Sequence, residues 1–360
     1  MPGLGTTGEA IKKQHFVLGY GFSQESSNKY FTNFHPNAQV NDIVHPLRKG
    51  KTLNIIGLYQ INQKSSLAVT MPIVFNSFSF NPNFPKSPVS GIHNEEEEEE
   101  EEGGKPPAPR ARQRAYGLGD MSIVYRSMVR TPRLGQTWNG SWGAGMVVPT
   151  GNFHATAVYP DYEGNNPASK PVFHSIMPGQ GGVGIYAEAQ LFKSVNYPVK
   201  GTTLWAFGNY LSQPRGRTDV SSEPVTLFAP DTPGVQHASK NSVADQYLVR
   251  WGSFIPIPYS QDRRYLRGAR IFLGGRFSGA PQRDFIASSN GYRQPGQLVA
   301  AEPGLTYSLG RYAFTMTTPI YFIQRSQNDL AQQNIGEAAF LRNLATIPRW
   351  TLNLQLAKRY

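Results

Sequence analysis

Serine, histidine and carboxylate side chains are the groups in this sequence that could do covalent or acid–base chemistry, because cysteine is absent. That absence excludes disulfides, thiol nucleophiles and thiolate metal sites. The seven histidines (15, 35, 45, 93, 154, 174 and 237) never fall at the short spacing of a local metal site, so neither metal nor cofactor is expected. One serine has a base within reach in sequence: His237-Ala-Ser239, with Asn241 close by. Two residues apart on a strand point the same way, as a nucleophile and its base must. The segment has loop composition and no orienting acid follows, so a lipid hydrolase is carried only as a minor alternative and no enzyme is expected. Gly3-Leu-Gly-Thr-Thr-Gly8 spells a dinucleotide-binding pattern, but no strand precedes it and no crossover unit follows. A flexible tail accounts for it.

Charge is the second chemical signal. The formal net charge is +11, although Glu95 to Glu102 form an unbroken acidic run. With those eight set aside, 35 bases face 16 acids, a surplus of 19. Nucleic-acid domains gather Lys and Arg on one face; here the arginines are spread over many strand-like segments, so no nucleic acid is expected. The Glu95–Glu102 run, followed by Lys105, Arg110, Arg112 and Arg114, reads as a solvated loop. A docking or divalent-ion tether outside the cell is the sharper alternative.

The elements that would position such residues are strands. Charged residues make up 16% of the chain and aromatics 12%, while mean hydropathy is polar at −0.42. No stretch approaches the ~18 apolar residues of a spanning helix. Strands that alternate lipid-facing and lumen-facing side chains reconcile these numbers. Twelve segments alternate in this way: 14–23, 52–62, 65–77, 117–131, 137–149, 182–195, 200–212, 242–258, 265–279, 295–309, 311–324 and 346–360. The gaps between them alternate long and short. Short periplasmic turns and long external loops in an even-stranded barrel have that order. The expectation is an all-β, transmembrane, antiparallel up-and-down barrel of about twelve strands, with both termini on the periplasmic side.

The faces are legible. Val183, Ile185, Ala187, Ala189 and Leu191 oppose Tyr186, Glu188 and Gln190; Val299, Ala301, Leu305, Tyr307 and Leu309 oppose Glu302, Thr306 and Ser308. Tyr247, Val249, Trp251, Ile255 and Ile257 oppose Gln246 and Arg250. Trp138, Trp142, Tyr197, Tyr259, Tyr312 and Trp350 fall near turns or strand ends, where interfacial girdles sit. Pro72, Pro256, Pro303 and Pro319 lie inside strand segments and should mark bulges or rims. Parity then assigns Asp120, Arg126, Glu188, Arg250, Arg270, Arg276 and Glu302 to the lumen. They are either a space-filling ion-pair network or a constriction that selects polar or anionic solutes.

The last strand carries Trp350, Leu352, Leu354, Leu356 and Tyr360 on one face, with Thr351, Asn353, Gln355 and Arg359 on the other. A chain ending on an aromatic in this way resembles the C-terminal assembly signal of outer-membrane barrels; Lys358 departs from it. Further segments are Gly117-Leu-Gly-Asp-Met-Ser-Ile-Val-Tyr-Arg126, Gly143-Ala-Gly-Met-Val-Val-Pro-Thr-Gly151, Gly179-Gln-Gly-Gly-Val-Gly184 and Pro303-Gly-Leu-Thr-Tyr307. In order and spacing they resemble the MetA-pathway phenol-degradation family of outer-membrane proteins, over roughly residues 50 to 360. That resemblance implies a barrel that passes small, often hydrophobic, molecules, and it implies no catalytic residues.

The sequence therefore divides into a periplasmic tail over 1–13 and a barrel over 14–360, with the acidic insert inside the gap 78–116. The expected function is an outer-membrane channel or passive transporter for small hydrophobic or anionic solutes. A plugged structural barrel scaffolding a larger complex is the alternative. Expected partners are outer-membrane lipid, a small-molecule solute, and proteins met through external loops or the periplasmic face. A Gram-negative outer-membrane protein needs a signal peptide, and Met1 opens without one; a mature form or an incorrectly assigned start is the expectation.

Overall fold

Backbone N–H and C=O groups facing lipid have no water to bond, so strands can span a membrane only if the sheet closes on itself. In a computed structural model this sheet does. The described residues are 16–32, 35–36, 41, 44–81, 110–133, 135–160, 167–223, 239–257, 268–289, 291–327 and 345–360. Among them, twelve strands form one closed antiparallel barrel. They are β1 (Phe16–Ser27), β2 (Leu47–Gln60), β3 (Ser65–Phe80), β4 (Ala111–Leu118 and Met121–Met128) and β5 (Trp138–Val148). There follow β6 (Gly184–Val195), β7 (Thr202–Ser212), β8 (Gln246–Pro256) and β9 (Ala269–Ala280). The last are β10 (Gly296–Leu309), β11 (Tyr312–Thr317 and Ile320–Ser326) and β12 (Thr351–Arg359). Each pairs with its sequence neighbours, and β12 closes on β1 from Val17↔Arg359 to Glu25↔Thr351.

Every expected strand has its counterpart, and three of them extend further at the end that carries the long loops. β1 runs on to Ser27, β2 begins at Leu47 rather than 52, and β4 begins at Ala111 rather than 117. Those extensions carry Gln24, Glu25, Arg48, Lys49, Lys51, Arg112 and Arg114. Beyond the bilayer both faces of a strand are wet, so the apolar–polar alternation that reveals it is lost.

The four prolines sit where a missing N–H costs least. Pro72 on β3 faces the break between the two halves of β4, where the register shifts by one residue and Gly119 N–H donates to Pro72 O at 2.9 Å. Pro303 and Pro319 face the matching break in β11, where Thr318 N–H donates to Pro303 O at 2.9 Å. Pro256 ends β8.

Outward faces carry the apolar set. Ile185, Leu191, Trp251, Leu273, Leu305, Phe314 and Leu356 are all exposed, a surface that is stable only against lipid. Trp138, Trp142, Tyr197, Tyr312 and Trp350 are exposed too; Tyr259 lies outside the described residues. Both ends of the barrel-forming chain meet at the rim of the short turns, where Tyr360 N–H donates to Phe16 O at 3.0 Å.

Candidate functional site

The lumen is built from the opposite parity, and it has three storeys. The short-turn end of one wall is aromatic. Phe192, Trp205, Phe207, Phe254 and Phe272 pack together, with Trp205 to Phe254 and to Phe272 both at 6.0 Å between ring centroids and Phe254 to Phe272 at 4.8 Å. Sequence reasoning missed this cluster by treating the lumen as polar. The signal was present, because Phe254 shares the parity of Arg250, and Phe272 that of Arg276.

The charged storey follows. Arg250 donates from Nε and Nη2 to the Glu302 carboxylate at 3.0 and 2.6 Å, and Arg276 Nη2 reaches the same oxygen at 3.3 Å. The Glu302 side chain is fully buried. Arg250 also lies over the Trp205 ring at 5.2 Å, so the charged and aromatic storeys touch. Two strands away from β4, Glu188 on β6 accepts from Arg126. The reach crosses β5 at Gly143, which is paired with both Arg126 and Glu188. Tyr186 O–H donates to Glu188 at 3.1 Å, and Asn209 Nδ2 donates to Tyr186 at 2.7 Å. Arg270 sits apart, near the short-turn rim. Its one described hydrogen bond goes to Thr203 at 3.3 Å, and no carboxylate pairs with it among the described residues.

The storey at the long-loop mouth is a loop folded inward. Residues 149–160 and 167–183 turn into the barrel mouth, where the short 3-10 turn His174–Ile176 meets lumen-facing wall residues. Asn76 Nδ2 donates to Ile176 O at 3.1 Å, Arg48 Nη1 to Ser175 O at 3.1 Å, and Phe173 N–H to Gln113 Oε1 at 2.9 Å. Phe173 lies 4.9 Å from Phe78 and 5.3 Å from Phe80 between ring centroids. Phe173, Ile176 and Met177 form one buried cluster with wall residues Phe78, Phe80, Ala111 and Ala115. At roughly 2 kcal/mol for each large apolar side chain taken from water, this contact holds the loop in.

Asp120 belongs to this storey. It stands in the break of β4, where Oδ1 accepts from Gly151 N–H at 3.0 Å and Oδ2 from Gln180 N–H at 2.6 Å. Thr150 fills the same gap: its hydroxyl donates to Gly119 O at 2.7 Å and accepts from Met121 N–H at 3.0 Å. A Cβ on Gly179 would lie 2.4 Å from Gly151 O, so here the two ends of the loop cross backbone to backbone. The three glycine-containing motifs thus meet at one knot, where the inward loop leaves and re-enters the wall.

A second knot ties the external loops on the far side. Arg293 and Asp284 form a buried bidentate pair at 2.7 and 2.6 Å. Asp245 accepts from Gln213 N–H at 2.6 Å, Tyr210 O–H at 2.7 Å and Phe285 N–H at 2.8 Å. Glu223 joins the two loop groups, because its carboxylate takes the N–H groups of His174 and Ser175 and faces the Tyr292 hydroxyl at 3.2 Å. Burial pushes the Glu223 carboxyl up to about 7. It pulls the His174 imidazole down to about 4, with Arg293 adding to the effect.

Ser239 is half-buried, its carbonyl accepting from Ser222 N–H at 3.0 Å. His237, the Glu95–Glu102 run and the Gly3–Gly8 segment lie outside the described residues. On β12, Trp350, Leu352, Leu354, Leu356 and Tyr360 share the outward parity. Lys358, on the same face, lies over the Tyr312 and Tyr360 rings at 5.7 and 4.6 Å.

Closed wall, outward apolar belt and charged lumen together define a twelve-stranded transmembrane barrel of the outer-membrane type. Among solved structures the chain is similar to an outer membrane channel from Pseudomonas putida F1, at 10% identity and a TM-score of 0.54, covering 99% of this chain and 98% of that one. Looser likenesses are a Pseudomonas aeruginosa FadL homologue (9% identity, TM-score 0.42, 96% and 90% covered) and the NalP autotransporter translocator domain of Neisseria meningitidis (10%, 0.40, 98% and 91%). The first likeness supports the fold; the other two are too distant to carry an argument. No protein-family model and no curated protein matches the sequence.

Proposed function

We propose that the protein is a channel or passive transporter of the Gram-negative outer membrane, taking small polar or anionic solutes from the external side to the periplasm. The observation that carries the reading is the lumen itself. Its wall bears Arg250, Arg276 and Arg270 on neighbouring strands, and its mouth is occupied by a loop tied to the wall at its ends, through one packed cluster and through hydrogen bonds at its turn. A barrel needed only as a wall has no use for arginines turned inward, whose burial must be matched by partners. Passage of hydrophobic molecules, implied by the family resemblance, would run past the aromatic storey. The outward stripe of β12 ending at Tyr360 is the proposed assembly signal, and outer-membrane lipid the partner of the belt.

The test is conductance of purified protein in planar bilayers. Discrete channels, with a reversal potential under a potassium chloride gradient that favours chloride, are the expected result. A silent membrane together with no solute uptake into proteoliposomes removes the reading.

A second reading is favoured by one observation, that the inward loop packs against the wall at one end of the lumen and an aromatic cluster lines the wall at the other. It makes the barrel a plugged scaffold whose external loops dock other proteins. Stoichiometric partners in a pull-down from native membranes, with no conductance, are what it requires.

A further inference from the structure

Against the wall formed by β8 to β12, beside the charged storey, lies a cavity of about 60 Å³ lined by Arg250, Arg276, Thr315, Thr317, Asn353 and Gln355. All six side chains carry polar groups, and none is a carboxylate. Glu302 is the one acid bonded to the two arginines, and it is spent on them: Arg250 takes both of its oxygens and Arg276 one. The local balance is two cations to one anion, a surplus of one positive charge.

The donors are left over in the same place. Arg276 Nε and the amide nitrogen of Asn353 are buried with no hydrogen-bond partner. A buried N–H without an acceptor is costly, and more so on a charged group. The hydroxyl of Thr315 can turn to donate as well, whereas that of Thr317 is bonded to Glu302. What the cavity lacks is an acceptor carrying one negative charge.

We propose that this cavity is a binding site for one small monovalent anion, a halide or a short carboxylate such as formate or acetate. The site rests on the channel reading in one respect only, that solute reaches the lumen. The volume admits an ion of that size. The surplus of one charge favours a monovalent ion over sulfate. Arg276 and Asn353 are the binding residues, and Arg250 and Glu302 position Arg276 from either side.

Bromide is the probe. Trp205 lies beside Arg250, whereas Trp138, Trp142, Trp251 and Trp350 point outward, so the Trp205→Phe variant isolates the lumenal signal. In detergent-solubilised barrel, bromide should quench the Trp205 component saturably. Loss of one charge-assisted or buried hydrogen bond in Arg276→Gln or Asn353→Leu should weaken binding about tenfold. Asn353→Leu changes no charge and keeps the test open should Arg276→Gln fail to fold. Saturable quenching abolished by these variants supports the site whether or not the barrel conducts. Quenching that rises linearly and is the same in wild type and Asn353→Leu overturns it.

Discussion

Arg250 and Arg276 stand directly opposite one another on neighbouring strands, an arrangement that would repel were it not for one carboxylate. Glu302 has no exposed side-chain surface, and Arg250 and Arg276 keep 14% and 15% of theirs, so solvent does little to screen them. Removing one member of such a group leaves uncompensated charge, at about 3–5 kcal/mol. Glu302→Gln should therefore lower the urea midpoint of the barrel, followed by its heat-modified mobility on gels, far more than Glu188→Gln. Arg126, the partner of Glu188, is 30% exposed and can be rehydrated when its acid is lost. Equal effects of the two substitutions would show that the lumen around Glu302 is as wet as that around Glu188. Parity alone put Arg126, Glu188, Arg250, Arg276 and Glu302 inside, since period two fixes which side a residue faces. It could not say which charges meet, because Glu302 and Arg250 are joined through β9, and the partner depends on register and strand order.

At the scale of elements, the inward loop is held by contacts that include two buried titratable groups. Its docking carries two opposed proton dependences through Glu223 and His174. Glu223 has its carboxyl raised from 4.5 to about 7, so the docked loop holds that proton more tightly than a released one. Its contribution is full below 4.5 and is lost as pH rises to about 7. His174 has its imidazole lowered from 6.5 to about 4, so its contribution is full above 6.5 and is lost as pH falls to about 4. The charged and titratable neighbours of this contact are Arg293, Tyr292 and Arg48. Between 4.5 and 6.5 the two slopes oppose each other, and docking should be nearly flat. It should weaken above that range through Glu223 and below it through His174. Hydrogen exchange of the Phe173–Met177 amides, corrected for intrinsic rate, measures this. Glu223→Gln should erase the alkaline limb and leave the acid limb, while His174→Asn does the reverse; unchanged limbs would detach the carboxylate from the loop. None of this was readable in the sequence, because a loop has no period and His174 met Glu223 only through the fold. The knot beneath it was half legible. Gly117-Leu-Gly-Asp120, Pro149-Thr-Gly151 and Gly179-Gln-Gly stood out as motifs, and what joined them was a crossing of backbones too close for a Cβ.

Across the whole molecule, closure turns twelve marginal strands into a stable object, because each strand's backbone groups are satisfied only by its two neighbours. The belt was legible since lipid imposes one rule on every strand, outward apolar, and so repeats its mark twelve times over. The aromatic storey was not, since the lumen imposes no common rule and Phe254 can stand where Arg250 does. The closing seam joins β1 to β12, and its short-turn end is where the last residue of the chain is held. Tyr360 N–H bonds Phe16 O at 3.0 Å and the Phe16 and Tyr360 rings stand 6.2 Å apart, while on the other side of β12 Arg359 N–H bonds Arg311 O at 3.0 Å. Lys358, the departure from the assembly-signal pattern, is held over Tyr312 and Tyr360 and so takes part in the girdle as a cation on aromatic faces. Tyr360→Ala should cost the folded barrel about 1 kcal/mol from the lost ring pair, roughly fivefold in the folded ratio. If Tyr360 is also the assembly signal, its loss should cut the amount reaching the membrane well beyond that ratio. Comparing refolding yield in detergent with the membrane-inserted fraction in cells separates the two. A yield and an inserted fraction that fall together would make Tyr360 a seam residue and nothing more.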